Sequence, residues 1–389
     1  MRHVFLIGCK GIPARYGGFE TFVDNLTEHQ IDQTIKYHVA CMADENSTEE
    51  TFEYHGAECF NIRVPSIGPA KAIYYDVAAF QSCLAYIQKN RIQKPIVYVM
   101  ACRMGPFIHK YIKQLHALGG KYYVNPDGHE WLRAKWSYPI RKYWKFSERL
   151  MIKYSDLVIC DSKNMQHYIQ ETYKRYEPNT VFIAYGTDVE KSKLSISDKK
   201  VLSWYEEKQI KPREYYLIVG RFVPENNYET MIREFMASDS KKDLVIITNV
   251  EHNKFYEKLR KSTGFEQDNR IKFVGTVYEK ELLKSIRENA FAYIHGHEVG
   301  GTNPSLLEAL GSTSLNLLLD VGFNREVAED GALYFSKEAG DMRRMMKQAE
   351  QLTQDEICML EQNAQKQIED RYRHDYIGHC YEKEFLKEW

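Results

Sequence analysis

The sequence predicts an α/β protein made of two successive domains, each a doubly wound parallel sheet. Its 389 residues are too many for one ordinary core. Short apolar runs alternate with longer amphipathic stretches, which is the pattern of repeated βα units. A polar stretch, "TDVEKSKLSISDKK" at 187–200, interrupts the alternation, which then resumes. These observations indicate two sheets separated by a boundary near 187–200.

The first domain contains six apolar runs typical of buried strands. They lie at 3–8, 37–42, 96–101, 121–126, 157–162 and 180–186. Amphipathic segments between them predict helices at 19–30, 70–90, 105–118 and 140–155.

The second domain repeats the pattern. Its strands are predicted at 214–221, 243–249, 271–275, 290–296, 314–320 and 332–336, and the charged stretch 341–389 is expected to be helical. We therefore assign 1–186 to an N-terminal domain, 187–200 to a linker and 201–365 to a C-terminal domain. A last helix, 366–389, is expected to pack back on the first domain.

Composition and charge exclude several classes of protein. The formal net charge of −1 gives no general attraction to nucleic acid. The eight cysteines form no C-x-x-C pair, and several lie in apolar runs, which is typical of reduced, buried thiols in a cytosolic protein. No apolar run approaches the ~18 residues of a spanning helix, and the first one is too short for a secretory signal. We expect a cytoplasmic protein, soluble or peripheral to the membrane.

Ligands of such sheets bind outside the carboxyl ends of the strands, and two tandem domains are expected to face a central cleft. The first loop of this kind is "GIPARYGGFETFV". Gly11, Gly17 and Gly18 allow close approach to a ligand and positive φ, Arg15 adds charge, and the helix from about Phe19 offers N–H groups to an anion. The alternative is a plain strand–helix turn. The spacing is not G-x-G-x-x-G, so no dinucleotide fingerprint is present.

The second loop is "NPDGHEWLRAKW", at 125–136. Asp127, His129 and Glu130 place three ionisable groups within four residues. A carboxylate or imidazole here is suited to act as a base towards a substrate hydroxyl. The alternative is an Asp-Gly turn with solvated neighbours.

The stretch 131–153 carries seven Lys or Arg, one Glu and six aromatic residues. A basic, aromatic segment of helical length is typical of an interfacial surface facing anionic lipid or a lipid phosphate. The alternative is a surface helix whose aromatic rings pack on the sheet. The candidate acceptor and membrane residues are His129, Glu130, Trp131, Arg133, Lys135, Trp136, Arg141, Lys142, Trp144 and Lys145.

The third loop, "GRFVPENNYETM" at 220–231, follows the first strand of the second domain. Arg221 is expected to point into the cleft beside a glycine turn, where a guanidinium suits bidentate contact with phosphate. The alternative is an ion pair with Glu225.

The fourth loop is "HGHEVGGTNPSLLEALG", at 295–311. Gly300 and Gly301 let the chain pass close to a ligand. The next helix can be capped by Thr302, Asn303 or Ser305, with Pro304 in its first turn, and its N–H groups then suit a diphosphate. Glu308, one turn later, can accept two hydroxyls of a ribose. The alternative is a well-capped core helix with a solvated Glu308.

Together these motifs resemble the GT-B glycosyltransferases of family 4 over essentially the whole chain. More narrowly, "GIPARYGGFETFV", "DGHEWLRAKW", "GRFVPENNYETMI" and "GGTNPSLLEAL" are similar to bacterial rhamnosyltransferases of cell-surface polysaccharide assembly, including streptococcal capsular β-1,4-rhamnosyltransferases and their group-carbohydrate relatives. The resemblance implies retaining transfer from a nucleotide-diphosphate sugar bound by the C-terminal domain. It also implies a capsule or cell-wall product and a peripheral site on the cytoplasmic membrane.

The resemblance also assigns roles to residues. It maps the family's diphosphate arginine to Arg221, its ribose glutamate to Glu308 and a catalytic polar residue to Asp127. Two positions depart from the family pattern, because a lysine is replaced by Asn226 and a glutamate by Gly300. His297 and Glu298 are expected to replace these groups in part. The implied donor-binding residues are Gly17, Gly18, Arg221, Asn226, His297, Thr302, Asn303, Pro304, Ser305 and Glu308.

The expected reaction is transfer of L-rhamnose from dTDP-rhamnose to a sugar on undecaprenyl diphosphate. A 6-deoxy sugar needs fewer contacts, which agrees with the missing glutamate. No D-x-D sequence occurs, so we expect no metal and no other cofactor. Two alternatives stay open: a related transferase with a UDP-sugar donor, and a non-catalytic nucleotide-sugar-binding scaffold. An oxidoreductase is disfavoured because the glycine fingerprint and its ribose acid are absent.

Overall fold

The computed structural model describes residues 1–14, 17–45, 48–133, 136–250, 252–299 and 301–389. The chain forms two compact units. The first contains Met1–Gly186 together with His374–Trp389, and the second contains Thr187–Arg373. Each unit is built on its own sheet.

The first unit has an eight-stranded sheet, in the order β3-β4-β2-β1-β5-β6-β7-β8. The strands are β1 (Arg2–Ile7), β2 (Ile35–Ala43), β3 (Thr51–Tyr54), β4 (Ala57–Arg63), β5 (Ile96–Met100), β6 (Lys121–Asn125), β7 (Leu157–Cys160) and β8 (Thr180–Phe182). Its helices are α1 (Gly18–Glu28), α2 (Lys71–Asn90), α3 (Gly105–Ala117), α4 (Tyr138–Lys153) and α5 (Lys163–Thr172), and α14 (His374–Leu386) returns from the chain end. All pairs are parallel except β3 with β4.

Both faces of this sheet are covered by apolar side chains. On one face, Val97 and Val99 of β5 belong to the cluster that includes Phe80 of α2. On the other, Tyr381 and Phe385 of α14 pack with their ring centroids 6.0 Å from that of Tyr98. Full burial of such an aromatic side chain contributes about 2–3 kcal/mol, so α14 is part of the first unit's core.

The second unit has a six-stranded parallel sheet, in the order β11-β10-β9-β12-β13-β14. Its strands are β9 (Tyr215–Val219), β10 (Asp243–Ile247), β11 (Ile271–Gly275), β12 (Ala292–His295), β13 (Asn316–Leu319) and β14 (Leu333–Phe335). The helices are α6 (Lys199–Lys208), α7 (Tyr228–Met236), α8 (Lys254–Thr263), α9 (Lys280–Glu288), α10 (Pro304–Ser312), α11 (Gly322–Ala328), α12 (Asp341–Gln351) and α13 (Gln354–Arg371).

The strand order gives each sheet a topological switch point, where the chain changes the direction in which it adds strands. In the first sheet it lies between β1 and β5, and in the second between β9 and β12. Ligands of open α/β sheets bind at the carboxyl ends of the strands beside such a point. The loops after these four strands are therefore where function is expected.

Two boundaries differ from those expected from the sequence. Residues 187–200 are not a free linker, because the backbone N–H of Ser192 donates to Glu288 at 2.6 Å and Lys284 pairs with Asp188 at 2.7 Å. The last helix does not begin at 366, since α13 continues to Arg371 and α14 begins at His374. A hydrogen bond and an ion pair, each to a side chain of α9, thus attach residues 187–200 to the second unit.

All eight cysteines are free thiols, and six of them are buried. Among the described residues, no helix is both long enough and apolar enough to span a bilayer.

Candidate donor and acceptor sites

In the second unit, Arg221 follows β9 at the switch point, and its side chain is exposed. Within the described part of the chain, no ion pair joins it to Glu225. The Glu225 side chain is instead buried, and both of its carboxylate oxygens lack a hydrogen-bond partner among the described residues. The guanidinium is therefore available to an anionic ligand.

Asn226 joins the loop after β9 to the loop after β12. Its Nδ2 donates to the carbonyl of Arg221 at 2.8 Å, and its Oδ1 lies 2.7 Å from Nδ1 of His297. Because an amide oxygen only accepts, Nδ1 of His297 is the donor of this bond. The structure thus brings together two predicted donor-binding residues that are 71 positions apart in sequence.

Helix α10 begins as the sequence indicates, with Asn303 as its cap and Pro304 as its first residue. Asn303 Oδ1 accepts the N–H of Ser305 at 2.9 Å, and the Asn303 carbonyl accepts the N–H of Leu306 at 3.0 Å. These N–H groups already have partners, so the helix offers an anion mainly its dipole. Thr302, just before the cap, is buried.

Glu308 is not simply solvated, because Arg287 of α9 holds it. Arg287 Nη2 lies 2.5 Å from Glu308 Oε2, and the side chains are 5% and 37% exposed, respectively. The same guanidinium reaches Ser305 Oγ at 3.3 Å. Sequence reasoning missed Arg287, because no motif marks a residue 21 positions before its partner.

Two further polar residues that the sequence did not single out, Tyr293 and His295, lie next to the start of α10. The hydroxyl of Tyr293 lies 3.2 Å from both His295 Nδ1 and Ser305 Oγ. Burial lowers the pKa of His295 to about 3, so this imidazole is neutral. The hydroxyl of Ser305 also reaches the carbonyl of Val219 at 3.3 Å, which links the start of α10 to the end of β9.

Glu298 does not remain free to replace the missing glutamate. It pairs with Lys337 at 2.7 Å, and its backbone N–H donates to the carbonyl of Glu225.

In the first unit, the glycine loop is held by acidic side chains of α1. Glu20 Oε1 accepts the N–H of Lys10 and Asp24 Oδ2 accepts that of Ala14, both at 2.7 Å. A carboxylate in the first turn opposes the anion site expected at this helix, because it already complements the helix dipole. Arg15, proposed to add positive charge, lies outside the described residues.

The glycines of this loop have different roles. Gly11 and Gly17 adopt positive φ of 112° and 140°, as expected, but Gly18 is the first residue of α1 and does not. A Cβ at Gly18 would have no heavy atom within 4 Å, whereas at Gly17 it would lie 1.8 Å from Glu20. Gly18 is therefore not required by the backbone.

Asp127 follows β6, and its backbone adopts the left-handed conformation. Ala101, which follows the neighbouring strand β5, does the same. The φ of Asp127 is 60°, and that of Ala101 is 71°. The carboxylate of Asp127 faces Arg133, with Oδ2 3.7 Å from Nη2, while Arg133 Nε lies 2.5 Å from Glu130 Oε2. Arg133 is buried, so it is a fixed cation that orients Asp127 and Glu130.

Arg103, which the sequence did not single out, lies at the switch point of the first sheet. Its Nη1 donates to the carbonyl of Gly8 at 2.8 Å and lies 3.3 Å from the carboxylate of Asp76. Burial raises the pKa of Asp76 to about 6, although the guanidinium of Arg103 opposes this shift.

The basic, aromatic segment largely turns inward, which corrects part of the expected membrane face. Trp144 and Arg133 are buried, and Trp136 Nε1 donates to Glu130 at 2.8 Å. Lys145 contacts Glu148 at 3.1 Å and lies 4.5 Å from the ring centroid of Trp131. The amphipathic pattern of α4 explains the inward side chains, because one of its faces must pack on the unit's core.

The remaining predicted acceptor residues are partly or fully accessible. His129, Trp131 and Arg141 are half-buried, and Lys142 is exposed, while Lys135 lies outside the described residues. The exposed face of this region instead carries large apolar side chains that the sequence did not single out, namely Leu132, Tyr138 and Phe146, at 42%, 68% and 44% exposure.

Within the described ranges, no group of three or more His, Cys, Asp or Glu side chains could hold a metal ion.

Two family models match the chain. "Domain of unknown function (DUF1972)" matches residues 1–188, and "Glycosyl transferases group 1" matches residues 203–373. A relative described as an uncharacterized glycosyltransferase, from Methanocaldococcus jannaschii, is 25% identical over 329 residues, which is 80% of this chain and 79% of the relative.

Solved structures with the same fold cover nearly the whole chain. Sucrose-phosphate synthase from Thermosynechococcus elongatus has a TM-score of 0.79 at 13% identity, covering 99% of this chain and 98% of the other. A trehalose-6-phosphate structure from E. coli, bound with UDP-2-fluoro glucose, has a TM-score of 0.72 at 9% identity and covers both chains completely, at 100%. The fold is therefore GT-B, and residues 203–373, in the second unit, match a glycosyltransferase group 1 domain.

Proposed function

We propose that the protein is a retaining glycosyltransferase that moves L-rhamnose from dTDP-rhamnose to a sugar of an undecaprenyl-diphosphate-linked acceptor. The observation that carries this proposal is the set of hydrogen bonds at the second switch point. Asn226 Oδ1, in the loop after β9, accepts a hydrogen bond from His297 Nδ1, in the loop after β12, at 2.7 Å. Ser305 Oγ, at the start of α10, donates to the carbonyl of Val219 in β9 at 3.3 Å. The exposed Arg221 and the half-exposed Glu308 are thus fixed around one strand end.

The diphosphate of the donor is the leaving group, and it gains negative charge as the glycosidic bond breaks. Arg221 stabilises this charge by bidentate contact, with the dipole of α10 in support. His297, held through Nδ1 by Asn226, stands on the neighbouring loop. This arrangement compensates for the absence of the lysine expected at position 226.

The choice of a 6-deoxy sugar follows from what this site lacks. Position 300, where relatives place a glutamate, is a glycine, and Glu298 is engaged by Lys337. A hexose with a 6-hydroxyl would leave that hydroxyl without this carboxylate partner, whereas rhamnose has no such group. The sequence and the Glu298 ion pair therefore favour rhamnose over glucose.

The acceptor hydroxyl is oriented or deprotonated by Asp127, which Arg133 positions. Retention is proposed to follow from front-face attack, in which the departing phosphate helps to take the proton of the attacking hydroxyl. The reaction needs no metal, because the guanidinium of Arg221 supplies the positive charge.

A lipid-linked acceptor requires contact with the cytoplasmic face of the membrane. The exposed side of α4 supplies apolar and basic groups in pairs, with Lys142 4.6 Å from the ring centroid of Tyr138 and Arg149 5.1 Å from that of Phe146. Such amphipathic side chains suit the headgroup region. We propose a peripheral location and a role in capsule or cell-wall synthesis.

A UDP-sugar transferase is the second candidate, since a solved structure of the same fold holds UDP-2-fluoro glucose. A non-catalytic scaffold is the third. Purified protein and a synthetic lipid diphosphate bearing glucose or N-acetylglucosamine, with dTDP-rhamnose or UDP-glucose in separate reactions, test all three candidates. A product from UDP-glucose alone favours the second candidate and contradicts the proposal. Formation of a rhamnosylated product whose anomeric configuration matches the donor supports the proposal. Nucleotide binding without turnover, with either acceptor, favours the scaffold and contradicts the proposal.

A further inference from the structure

Arg287 is placed to control how Glu308 meets the pentose of a nucleotide. Its guanidinium is almost fully buried at the end of α9, and its Nη2 lies 2.5 Å from Glu308 Oε2. Its backbone is fixed as well, because the carbonyl of Arg287 accepts the hydroxyl of Thr313 at 3.2 Å. The cation is therefore part of the rigid body of the unit.

This contact makes the two oxygens of Glu308 unequal. Oε2 is engaged on its buried side, whereas Oε1 has no donor among the described residues. A ribose presents two neighbouring hydroxyls, and a carboxylate that accepts one hydroxyl at each oxygen needs both oxygens. A 2′-deoxyribose presents only the 3′-hydroxyl, for which one oxygen is enough.

We propose that Arg287 is a specificity-determining residue. By bonding Oε2, it leaves Oε1 as the carboxylate oxygen that has no partner among the described residues. Loss of the 2′-hydroxyl therefore leaves no carboxylate oxygen unpaired, and the site accepts nucleoside diphosphates of 2′-deoxyribose without loss. This inference rests on the proposed function, in which Glu308 contacts the donor pentose. Arg287 acts through Glu308 and is a positioning residue.

The free-energy cost of a missing hydroxyl depends on whether a polar group of the site loses its partner. A site built to bond a substrate hydroxyl rejects an analogue that lacks it, because a desolvated polar group then loses its partner. Here the guanidinium already satisfies Oε2. Loss of the 2′-hydroxyl therefore leaves no carboxylate oxygen without a partner.

UDP and dUDP differ only in the 2′-hydroxyl, so they isolate the effect. Calorimetric titration of the full chain with UDP, dUDP and dTDP is expected to give Kd values for UDP and dUDP within about threefold. Arg287→Met frees Oε2 and is expected to shift the ratio by about tenfold or more in favour of UDP. Lys284→Met, on the same helix, is the matched control and should leave the ratio unchanged.

Glu308→Gln keeps the test independent of the folding of the Arg287 variant. If only the 3′-hydroxyl contacts residue 308, UDP and dUDP should weaken by the same factor. A wild-type preference for UDP of about tenfold or more, or a Glu308→Gln variant that weakens UDP alone, overturns the inference but leaves the proposed function standing. No binding of any of the three nucleotides overturns both.

Discussion

The Oδ1 atom of Asn226 lies 2.7 Å from Nδ1 of His297, and the Nδ2 atom of Asn226 donates to the carbonyl of Arg221. One side chain therefore connects the ends of β9 and β12, the two central strands of the second sheet. Among the described residues, the side chain of Arg221 has no partner, whereas its backbone carbonyl accepts the Asn226 amide. The backbone of Arg221 is therefore in place before an anion binds, and binding has to order only the side chain.

Arg221→Ala tests this arrangement. We expect kcat/KM for the donor to fall by about 10²-fold or more, because one charge-assisted, bidentate contact to the leaving group is lost. The melting temperature should change by less than about 2 °C, since the side chain is exposed. Arg344→Ala, at an exposed ion pair of α12, is the control. Near wild-type turnover by Arg221→Ala would exclude the assigned role.

Gly18→Val is expected to fold normally and to lose turnover. A Cβ at Gly18 meets no heavy atom within 4 Å, so the side chain would extend into the open space where the glycine motif predicts a ligand. Gly17→Val is the matched comparison. Its φ of 140° and the clash with Glu20 should lower stability as well as activity. Thermal melting and donor turnover of both variants separate the two effects, and full activity of Gly18→Val would rule out a ligand at this loop.

The pH dependence of stability tests the buried pair of Asp76 and Arg103. Because the folded pKa of Asp76 is raised to about 6, the folded state holds this proton more tightly than the unfolded chain. The contribution of Asp76 is complete at low pH and is lost as the pH rises through about 6. The free energy of unfolding of the wild type minus that of Asp76→Asn should fall between about pH 4 and pH 7, by at most about 3 kcal/mol.

Urea denaturation across this range measures that difference. Asp32→Asn is the control with the opposite sign, because hydrogen bonds from Thr34 lower the pKa of Asp32. A wild-type advantage over Asp76→Asn that grows with pH would show that Arg103 outweighs burial.

Membrane binding is predicted to depend on the exposed rings of α4. The double variant Tyr138→Ser with Phe146→Ser should reduce sedimentation with anionic vesicles by about tenfold, because two exposed aromatic rings no longer enter the headgroup region. Met359→Ser is the control, because Met359 is also exposed, at 57%, but lies on α13 of the second unit. Equal loss in both variants would contradict a face specific to α4.

Twelve strands were predictable because the central strands of parallel sheets are continuous apolar runs. The hairpin of β3 and β4 was missed, since "TFEYHGAECFNIR" mixes charged and apolar residues at the edge of a sheet, where one face stays polar. Composition alone does not separate such a strand from a loop.

The site was predictable where a motif and a strand end coincide, as at Arg221, Asn303 and Glu308. Arg287 and Arg103 could not be found in this way, because their partners come from distant segments that only the fold brings together. The same reason explains the inward side of 131–153. The sequence shows which residues are basic or aromatic, but which of them face solvent depends on how α4 packs.

A comparison of nucleotide sugars tests the identity of the donor. The purified protein would be incubated with the lipid-diphosphate acceptors and, in separate reactions, dTDP-rhamnose, UDP-glucose or UDP-N-acetylglucosamine, each with EDTA. We expect a product with dTDP-rhamnose alone, formed in the presence of the chelator. Transfer from a UDP-sugar instead, or a product that disappears on addition of EDTA, would contradict it.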